Sequence, residues 1–479
     1  MTDICQNLIA GVWREGVGTV ENRSPSDPAD LIGRHARANA QDMAEAAAAA
    51  AEAAGGWAET SPQVRADLLD RIAAAITGQE GDLARMLARE QGKVLPNALA
   101  EVRRAAHIFR FFAGEALRLR GEALASVRAG VDVEITREPL GVVGLITPWN
   151  FPIAIPAWKI APALAYGNAV ILKPAELTPG TAWMLARIIH EAGCPAGVFN
   201  LLVGPGRVLG QAMVDHRRIA AISFTGSVPV GRGLARACAE TMTKVQLEMG
   251  GRNPMIVLHD ADLPVAVAAC LDGAFFQTGQ RCTASSRLIV QDGIHDRFVA
   301  ELTRQMQALR VGPALEEGSQ IGPVASEGQL RGNLDYVALA RAEGCTVIGG
   351  DRLDSATGGY FQAPALFVGA GNDMRSAREE IFGPCASVIR VADYDEALAV
   401  ANDTAFGLSS GICTTSLRHA RDFRRRSAAG MVMVNLPTAG VDYHVPFGGR
   451  KGSSMGSREQ GSMAAEFYTS VKTAYVFAG

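Results

Sequence analysis

The chain has 479 residues, of which 48% are hydrophobic and 20% charged, and its formal net charge is −3 at pH 7. Its length predicts about two or three globular domains, and its slight negative charge gives no indication of a nucleic-acid partner. The eight cysteines are scattered, without a C-x-x-C pair or a Cys/His cluster, which excludes a structural metal site of the usual pattern and predicts a reducing compartment.

The first part of the chain predicts a helical block behind short strands. Residues 1–40 combine brief apolar segments with turn residues, and they contain no basic leader followed by an apolar core. Residues 41–118 are helical in pattern: Thr60-Ser61-Pro62 begins a helix, while Gly78 and Gly92 end helices. No stretch of the chain approaches ~18 consecutive apolar residues. We therefore expect a cytoplasmic protein that is not embedded in a membrane.

A predicted hairpin follows the helical block. Residues 125–128 and 131–136 alternate with a period of two, as extended strands do, and residues 466–477 at the tail are also strand-like. A two-stranded excursion is seldom stable alone. We therefore expect the tail to pair with the hairpin of a neighbouring subunit.

From residue 141 onward, short apolar segments alternate with helical ones, which is typical of a parallel sheet covered by helices. The alternation resumes after Met249-Gly250-Gly251-Arg252, the predicted connection between two units. The sequence thus predicts an α/β protein of two doubly wound parallel-sheet domains plus a small β arm. The predicted strands are 142–146, 169–172, 198–202, 220–224, 244–248, 286–290, 386–391 and 431–434, and the helices of the second unit are 263–276, 293–309 and 416–427.

Ligands of such sheets bind beyond the carboxyl ends of the strands, and polar stretches lie at these predicted ends. Asn150, between aromatic residues and prolines, can present its amide N–H to a developing oxyanion, although asparagine is also a common turn residue. Lys173 and Glu176 are placed to bind the hydroxyls of a ribose, although a solvated pair of loop charges has the same pattern.

Two further stretches follow the next predicted strands. Gly226-Ser227 at a helix start can contact a pyrophosphate, and an ordinary helix cap is the alternative. Glu248 ends an apolar strand before two glycines, where it can act as a general base or form a structural ion pair.

Cys282 lies between an apolar helical run and a predicted strand, beside Arg281. Most cysteines are small buried hydrophobes. A loop position with small neighbours and a nearby cation, however, is where a thiolate can be both reachable and stabilised. Cys282 is therefore the candidate nucleophile.

Taken together, these stretches resemble the NAD(P)-dependent aldehyde dehydrogenase superfamily over nearly the whole chain. As a set the motifs are highly specific. They are Pro148-Trp149-Asn150-Phe151-Pro152, Leu247-Glu248-Met249-Gly250-Gly251, Gly279-Gln280-Arg281-Cys282, Glu379-Glu380-Ile381-Phe382-Gly383-Pro384 and Pro446-Phe447-Gly448-Gly449.

The resemblance implies three catalytic residues. The Cys282 thiolate would attack the aldehyde carbon, the Asn150 amide and the Cys282 backbone N–H would hold the oxyanion, and Glu248 would activate the water that hydrolyses the resulting thioester.

It also implies NAD as cofactor, with NADP as the alternative, and no metal. Lys173 and Glu176 would hold the adenosine ribose, where the Glu176 carboxylate disfavours a 2′-phosphate. Ser227 would contact a phosphate, and Glu380 would bind the nicotinamide ribose. The full implied set is Thr147, Pro148, Trp149, Lys173, Pro174, Glu176, Gly206, Phe224, Gly226, Ser227, Glu380 and Phe382.

The family fold implies a cofactor domain, a catalytic domain and a protruding strand arm that makes a homodimer or homotetramer. On this chain we expect residues 1–122 and 140–250 in the cofactor domain and 251–461 in the catalytic domain. Residues 123–139 and 462–479 would form the arm.

The local sequence around Cys282 and residues 437–447 is similar to 2-oxoglutarate semialdehyde (2,5-dioxopentanoate) dehydrogenases. Arg281 could pair with a substrate carboxylate, or turn away into a structural ion pair. Many succinate semialdehyde dehydrogenases carry an arginine where this chain has Trp158, so that anchor is missing. The residues expected to contact substrate are Phe151, Trp158, Arg281, Thr283 and Phe447.

Other activities remain open. The enzyme could be a succinate or glutarate semialdehyde dehydrogenase, or one with a broad aldehyde range. Transfer of the acyl group to coenzyme A would not need Glu248, and a phosphorylating dehydrogenase or a cofactor-free cysteine hydrolase would need a histidine near the thiol, whereas the nearest in sequence is His295. A non-catalytic binding protein of the same fold would be expected to have lost the nucleophile or the base.

Overall fold

A computed structural model describes residues 4–479. It contains an eight-stranded sheet, a seven-stranded sheet and two three-stranded sheets. Within residues 4–479, no helix is long and apolar enough to cross a membrane.

The amino-terminal region has the predicted strands and helices. Ser61 Oγ accepts a hydrogen bond from the Val64 N–H (3.4 Å) at the start of α2, and Gly92 ends α3 with a left-handed φ of 89°. The elements are β1 Ile4–Cys5, β2 Asn7–Ile9, β3 Val12–Arg14, β4 Thr19–Ser24, β5 Asp27–Ala36, α1 Ala40–Glu59, α2 Pro62–Gly78, α3 Glu80–Gln91 and α4 Leu95–Ala116.

The eight-stranded sheet is built on the five strands predicted between residues 142 and 249. Alternate side chains point to opposite faces, so Val143 and Leu145 pack into one core while Val142 and Ile146 pack into the other. Both faces are thus covered, as a doubly wound sheet requires. The elements are β8 Val142–Ile146, α5 Ala154–Ala165, β9 Ala169–Lys173, α6 Pro179–Glu191, β10 Phe199–Leu201, α7 Gly206–Asp215, β11 Ile219–Gly226, α8 Val228–Thr241 and β12 Lys244–Met249.

The doubly wound parallel sheet that the sequence predicts is present, and antiparallel strands extend it at both edges. Its five central strands, in the order β12-β11-β8-β9-β10, are parallel, but β2 and β3 continue it antiparallel at one edge. At the other edge, β20 (Ser454–Met455) pairs antiparallel with β12. The stretch around β20, expected within 251–461, therefore belongs to the first sheet, because its backbone satisfies the open edge of β12.

The seven-stranded sheet has the order β15-β16-β17-β14-β13-β18-β19, parallel except for β15. Met255 and Val257 face one core, and Ile256 and Leu258 face the other. The elements are β13 Asn253–Val257, α9 Leu263–Phe275, β14 Ser285–Gln291, α10 Asp292–Gln307, α11 Glu327–Ala342, β15 Thr346–Gly349, β16 Ala365–Val368, α12 Arg375–Arg378, β17 Cys385–Val391, α13 Tyr394–Asn402, β18 Ser409–Cys413, α14 Leu417–Arg426 and β19 Met431–Val434, with a 3-10 turn at Phe276–Gly279.

The connection between the sheets sets the position of the site. Strand β12 ends at Met249 and β13 begins at Asn253, so the chain leaves the carboxyl edge of the first sheet and directly enters the amino edge of the second. These two edges therefore face each other. Loops at the carboxyl ends of β8, β11 and β12 meet the loop that precedes β14.

The tail pairs within its own chain, which corrects the expectation of pairing with a neighbouring subunit. β21 (Thr469–Phe477) runs antiparallel along the whole of β7 (Val131–Pro139), and β6 (Glu122–Ala125) pairs with the other edge of β7. The preceding 3-10 turn Ser462–Ala464 and α15 (Ala465–Tyr468) pack on the first core and carry the tail back to the hairpin. The third strand supplies the stability that a lone hairpin lacks.

Candidate active site

A cavity of about 420 Å³ opens where the two sheet edges face each other. The three predicted catalytic residues line it together: Asn150 from the loop after β8, Glu248 from the end of β12 and Cys282 from the loop before β14. Predicted cofactor residues line one part and predicted substrate residues another. The predicted residues on its wall are Pro148, Trp149, Asn150, Trp158, Gly226, Ser227, Glu248, Cys282, Glu380, Phe382 and Phe447.

Cys282 lies in the loop between α9 and β14. The two residues that precede Gly279 in this loop adopt left-handed backbone conformations: Gln277 has a φ of 53° and Thr278 a φ of 58°. This conformation is costly for a β-branched residue and indicates a backbone held in place by its surroundings. Thr278 Oγ1 donates to the Gly322 carbonyl (3.0 Å), which is one such restraint.

The nucleophile loop is further fixed by two side chains that sequence reasoning missed. Asn253 Nδ2 donates to the carbonyls of Cys282 (2.8 Å) and Ala284 (2.9 Å), and Thr438 Oγ1 donates to the Thr283 carbonyl (2.7 Å). Asn253 stands at the start of β13, beside Glu248 in sequence, so its position directly after the Gly-Gly connection was the available signal.

Burial raises the pKa of the Cys282 thiol to about 12, and repulsion from the Glu248 carboxylate contributes. Arg281 does not supply the expected thiolate stabilisation strongly enough to offset burial. The resting protein therefore holds a thiol at neutral pH, and attack on an aldehyde requires a base.

Asn150 is positioned by a buried ion pair. Lys93 Nζ lies 2.5 Å from Glu101 Oε2 and donates to the Asn150 carbonyl (3.0 Å), while Glu101 Oε1 accepts the backbone N–H groups of Ile153 (3.2 Å) and Ala154. Asn150 Nδ2 donates one hydrogen bond to the Gln280 carbonyl (3.0 Å). Because an amide nitrogen carries two N–H donors, one remains for an oxyanion in the cavity.

Glu248 is buried at 2% exposure, and only one of its oxygens is engaged: Oε2 accepts from Ser454 Oγ (2.6 Å), while Oε1 has no partner within residues 4–479. Burial, followed by repulsion from the nearby Glu459 carboxylate, raises the pKa of Glu248 well above its usual 4.5. A carboxylate of raised pKa with one free oxygen is suited to accept a proton from water.

Glu459 belongs to a buried charge network behind the base. Lys159 Nζ forms an ion pair with Glu459 Oε1 and donates to Ser223 Oγ (2.6 Å), while Trp158 Nε1 donates to Glu459 Oε2 (2.6 Å). The lysine thereby balances the two carboxylates, Glu248 and Glu459, that burial brings together.

Replacing Lys159 by methionine is expected to destabilise the protein by about 3–5 kcal/mol, because the cost of a buried charge without its partner is large. Urea unfolding followed by circular dichroism measures this as a lower midpoint. Lys472→Met is the control, since Lys472 pairs with Glu138 on the surface, at 60% and 41% side-chain exposure, and should cost less than about 1 kcal/mol. Equal midpoint shifts for the two variants would contradict the interpretation.

The cofactor part of the cavity centres on Glu380. Its Oε1 accepts the Gly251 N–H (2.8 Å), and burial raises its pKa to about 7. A Cβ on Gly250 would lie 2.0 Å from the Glu380 carboxylate, so any larger residue there would displace that carboxylate from its position. The Phe382 ring packs edge-on against Trp149, with centroids 5.5 Å apart.

Six predicted cofactor residues lie outside the cavity wall but beside it. Lys173 ends β9, its Nζ donates to the Pro174 carbonyl (2.6 Å), and burial lowers its pKa to about 8. The Phe224 ring packs against Gly226, and a Cβ added to Gly226 would lie only 2.5 Å from that ring. Thr147 donates its N–H to the Lys173 carbonyl, Gly206 lies against the Lys173 side chain, and Glu176 follows Pro174 in the half-buried loop after β9.

The substrate part is aromatic. Trp158 and Phe447 pack with ring centroids 5.4 Å apart, and Cys282 packs against the Phe447 cluster. Two other predicted substrate residues have different surroundings. Lys93 Nζ lies over the Phe151 ring, 3.8 Å from its centroid, and the Thr283 side chain is buried. Neither side chain is part of the cavity wall, and their contact with substrate stays a prediction.

Arg281 turns away from the cavity, which corrects its interpretation as a carboxylate anchor. Its guanidinium donates to the carbonyls of Asp272 and Gly273 (3.1 Å from Nη2 to the latter) and lies 3.5 Å from the Asp272 carboxylate. These acceptors lie in the last turns of α9, where unpaired carbonyls attract cations. Arg281 thus holds the nucleophile loop against α9.

Sequence reasoning also missed the helix α11. Gly328, Gln329, Gly332 and Tyr336 line the cavity from this helix. A Cβ on Gly328 or Gly332 would meet nothing within 4 Å, so the helix presents an open face. The repeat of glycine, glycine and tyrosine at intervals of four residues was the available signal.

The same region holds no evident metal site: within the described residues 4–479, no group of three or more His, Cys, Asp or Glu side chains could hold a metal ion.

Comparison with known proteins finds relatives over nearly the whole chain. A model of the "Aldehyde dehydrogenase family" matches residues 13–474. The alpha-ketoglutaric semialdehyde dehydrogenase of Bacillus subtilis is 42% identical over 98% of this chain and 97% of its own. The alpha-ketoglutarate semialdehyde dehydrogenase of Haloferax volcanii is 40% identical over 99% of each chain. The crystal structure of betaine aldehyde dehydrogenase from Staphylococcus aureus in complex with NAD+ has a TM-score of 0.97 at 32% identity, covering 99% of this chain and 95% of that one.

Proposed function

The chain belongs to the aldehyde dehydrogenase family, and on that premise we propose that it oxidises 2-oxoglutarate semialdehyde to 2-oxoglutarate with NAD. The observation that carries the proposal is the convergence of Cys282, Asn150 and Glu248 on one cavity. Relatives at 40% and 42% identity named for this substrate support the choice of aldehyde.

Cys282 is the proposed nucleophile. Its sulfur attacks the aldehyde carbon, and the free Asn150 N–H together with the Cys282 backbone N–H stabilises the oxyanion of the thiohemiacetal. The raised pKa of the thiol means that the sulfur must give up its proton as the C–S bond forms, and this proton passes to solvent.

Glu248 then serves hydrolysis. Loss of a hydride from the thiohemiacetal leaves a thioester on Cys282, and the Glu248 carboxylate takes a proton from the water that attacks it. The C–S bond breaks, the carboxylic acid leaves as its carboxylate, and the thiol is restored. Transfer to coenzyme A would not require a base at this position, so its presence supports a hydrolytic, non-acylating enzyme.

The residues around the cavity fit a dinucleotide. Thr225 Oγ1 faces this region and Thr147 Oγ1 lies next to it, and both are buried without a hydrogen-bond partner among the described residues. Ser227 begins α8 without a side-chain capping bond, which leaves its hydroxyl free for a phosphate. Glu380 would bind the nicotinamide ribose, and Lys173 with Glu176 the adenosine ribose. NAD, when bound, supplies the hydride acceptor.

We expect NAD to be preferred over NADP by several-fold, because the Glu176 carboxylate repels a 2′-phosphate while Lys173 partly offsets that repulsion. The preference is the ratio of kcat/KM for the two cofactors. Glu176→Gln should narrow the ratio, and Glu191→Gln, at the exposed end of α6, should leave it unchanged. A wild-type preference for NADP would contradict this assignment.

The substrate is tested by steady-state NADH formation with 2-oxoglutarate semialdehyde, succinate semialdehyde and a neutral aldehyde of similar length. We expect kcat/KM for the two semialdehydes to exceed that for the neutral aldehyde by about ten-fold or more, which is equivalent to about 1.4 kcal/mol. The aromatic pair Trp158–Phe447 favours a second candidate, a broad-range aldehyde dehydrogenase. Equal rates with the neutral aldehyde would select it.

A homo-oligomer is also proposed. The three-stranded arm exposes large apolar side chains, among them Leu124, Tyr475, Val476 and Phe477, which are 51–68% exposed. Exposed apolar strands at an open sheet edge are typical of association surfaces. The arm would comprise residues 123–139 and 462–479, beside the cofactor domain (1–122 and 140–250) and the catalytic domain (251–461). A cytoplasmic location is proposed from the scattered cysteines.

A further inference from the structure

We propose that Arg104, on helix α4, binds the carboxylate at the far end of the substrate. The inference rests on the proposed function and deepens it: it names the group that distinguishes an acidic semialdehyde from a neutral or cationic aldehyde. It also assigns the role that Arg281 cannot perform, since that side chain points into the end of α9.

Arg104, on α4, lies against Trp158, a residue of the cavity wall on the substrate side, and is not itself part of that wall. Its guanidinium carbon lies 6.0 Å from the centre of the Trp158 ring, and Trp158 in turn packs on Phe447, 5.4 Å away. Phe447 and Val441 share one apolar cluster with Cys282, and the Val441 carbonyl accepts a hydrogen bond from Arg104 Nη1. A chain of direct contacts therefore links the guanidinium to the nucleophile, with the aromatic pair between them.

Among residues 4–479, no carboxylate forms an ion pair with Arg104, although Glu101 and Asp442 lie near enough to attract its charge. Its two hydrogen bonds go to neutral acceptors, the Val441 carbonyl and Gln460 Oε1 (2.9 Å from Nη2). Glu101, one turn away, is engaged with Lys93 and with two backbone N–H groups. Asp442 is exposed, and no ion pair joins it to Arg104 in the part of the chain that the structure describes.

The other cations around the site already have partners. Lys93 pairs with Glu101, Lys159 with Glu459, and Arg281 with Asp272. Arg458 donates to the Gly449 carbonyl and lies beside Glu248, so a carboxylate bound there would lie at the base rather than at the far end of the substrate. Arg104 is thus the cation best placed to receive an acidic substrate.

The geometry of Arg104 suits a carboxylate. A guanidinium has five N–H donors in a planar fork that matches two carboxylate oxygens. The bonds to Val441 and Gln460 fix the plane and leave donors free. Gln460 is fully buried, and its Nε2 has no acceptor among residues 4–479, so a second donor lies next to the guanidinium. Half-burial of Arg104 strengthens its attraction for an anion.

The experiment compares wild type with Arg104→Met and Arg104→Lys. Arg103→Met is the matched control, because the neighbouring Arg103 is exposed and paired with Glu80 on the other side of α4. Two quantities are measured: kcat/KM for glutarate semialdehyde and for pentanal, and the Kd of glutarate, an unreactive dicarboxylate, by calorimetry.

We expect Arg104→Met to lower kcat/KM for glutarate semialdehyde by roughly 10- to 100-fold, mainly through KM, as for the loss of charged hydrogen bonds. The value for pentanal should stay nearly constant, glutarate should bind more weakly by a similar factor, and Arg104→Lys should lie between. Arg103→Met should resemble wild type.

Glutarate binding that is equal in wild type and Arg104→Met would overturn the proposal, as would a parallel loss with glutarate semialdehyde and pentanal. A wild type that oxidises no aldehyde would instead overturn the proposed function. Glutarate binding would still report on Arg104 in that case, so the two failures are distinguishable.

Discussion

Cys282→Ala is expected to abolish aldehyde oxidation, with kcat falling by at least about 10⁴-fold, because no other thiol among residues 4–479 lines the cavity to form the covalent intermediate. NAD binding, followed by quenching of tryptophan fluorescence, should be retained, since the proposed cofactor contacts lie on other loops.

Cys194→Ala is the matched control for this prediction. Burial raises the pKa of both thiols to about 12, but Cys194 lies just after helix α6 and packs against the core of the first domain. Its replacement should leave kcat near the wild-type value. Substantial activity in Cys282→Ala would show that the nucleophile is misassigned.

Glu248→Gln is expected to lower kcat by about 10²- to 10⁴-fold, the usual contribution of a general base. The variant should still form the thioester but hydrolyse it slowly. Rapid mixing should therefore show an initial burst of NADH followed by a slow steady rate. Glu240→Gln, an exposed substitution at the end of α8, is the control.

The same assignment fixes the direction of the pH dependence. The base acts as the carboxylate, and its raised pKa means that kcat should fall as the pH drops through a value well above 4.5. Glu459→Gln removes the second carboxylate that raises this pKa and should move the acid limb to lower pH. A burst that vanishes in Glu248→Gln, together with an unchanged acid limb in Glu459→Gln, would contradict the assigned role.

Much of the fold could be predicted because its strands are short and apolar. Val142–Ile146 and Ala169–Lys173 are buried on both faces, so their sequences read as continuous apolar runs separated by helices. The edges could not be predicted in this way. The two-residue strand Ser454–Met455 carries no apolar pattern and is recruited only because β12 offers an open edge.

The candidate site could be located because strand ends converge in parallel sheets. Asn150 follows β8, while Gly226 and Glu248 lie at the carboxyl ends of β11 and β12, and the shared edge of these strands brings the three residues together. The loop that contains Cys282 lies beside these residues because β12 leads directly into β13, so that the two sheet edges face each other. The Gly250-Gly251 connection was the sequence feature that suggested this arrangement.

Side-chain direction is what the sequence could not provide. Arg281 and Cys282 are adjacent, yet the Arg281 side chain binds carbonyls at the end of α9 while Cys282 lines the cavity. Arg104 is not part of any sequence motif that pointed to the site. Its proposed importance depends on Trp158, Val441 and Gln460, residues distant in sequence that only the folded chain brings to it.

The central claim is that the aldehyde is oxidised while covalently bound to Cys282. The most direct measurement is the intact mass of Glu248→Gln, quenched in acid after mixing with NAD and 2-oxoglutarate semialdehyde, followed by peptide mapping. We expect a mass increase equal to one acyl group, located on the peptide that contains Cys282 and absent from Cys282→Ala. NADH formation without an adduct, or an adduct on another residue, would contradict the account.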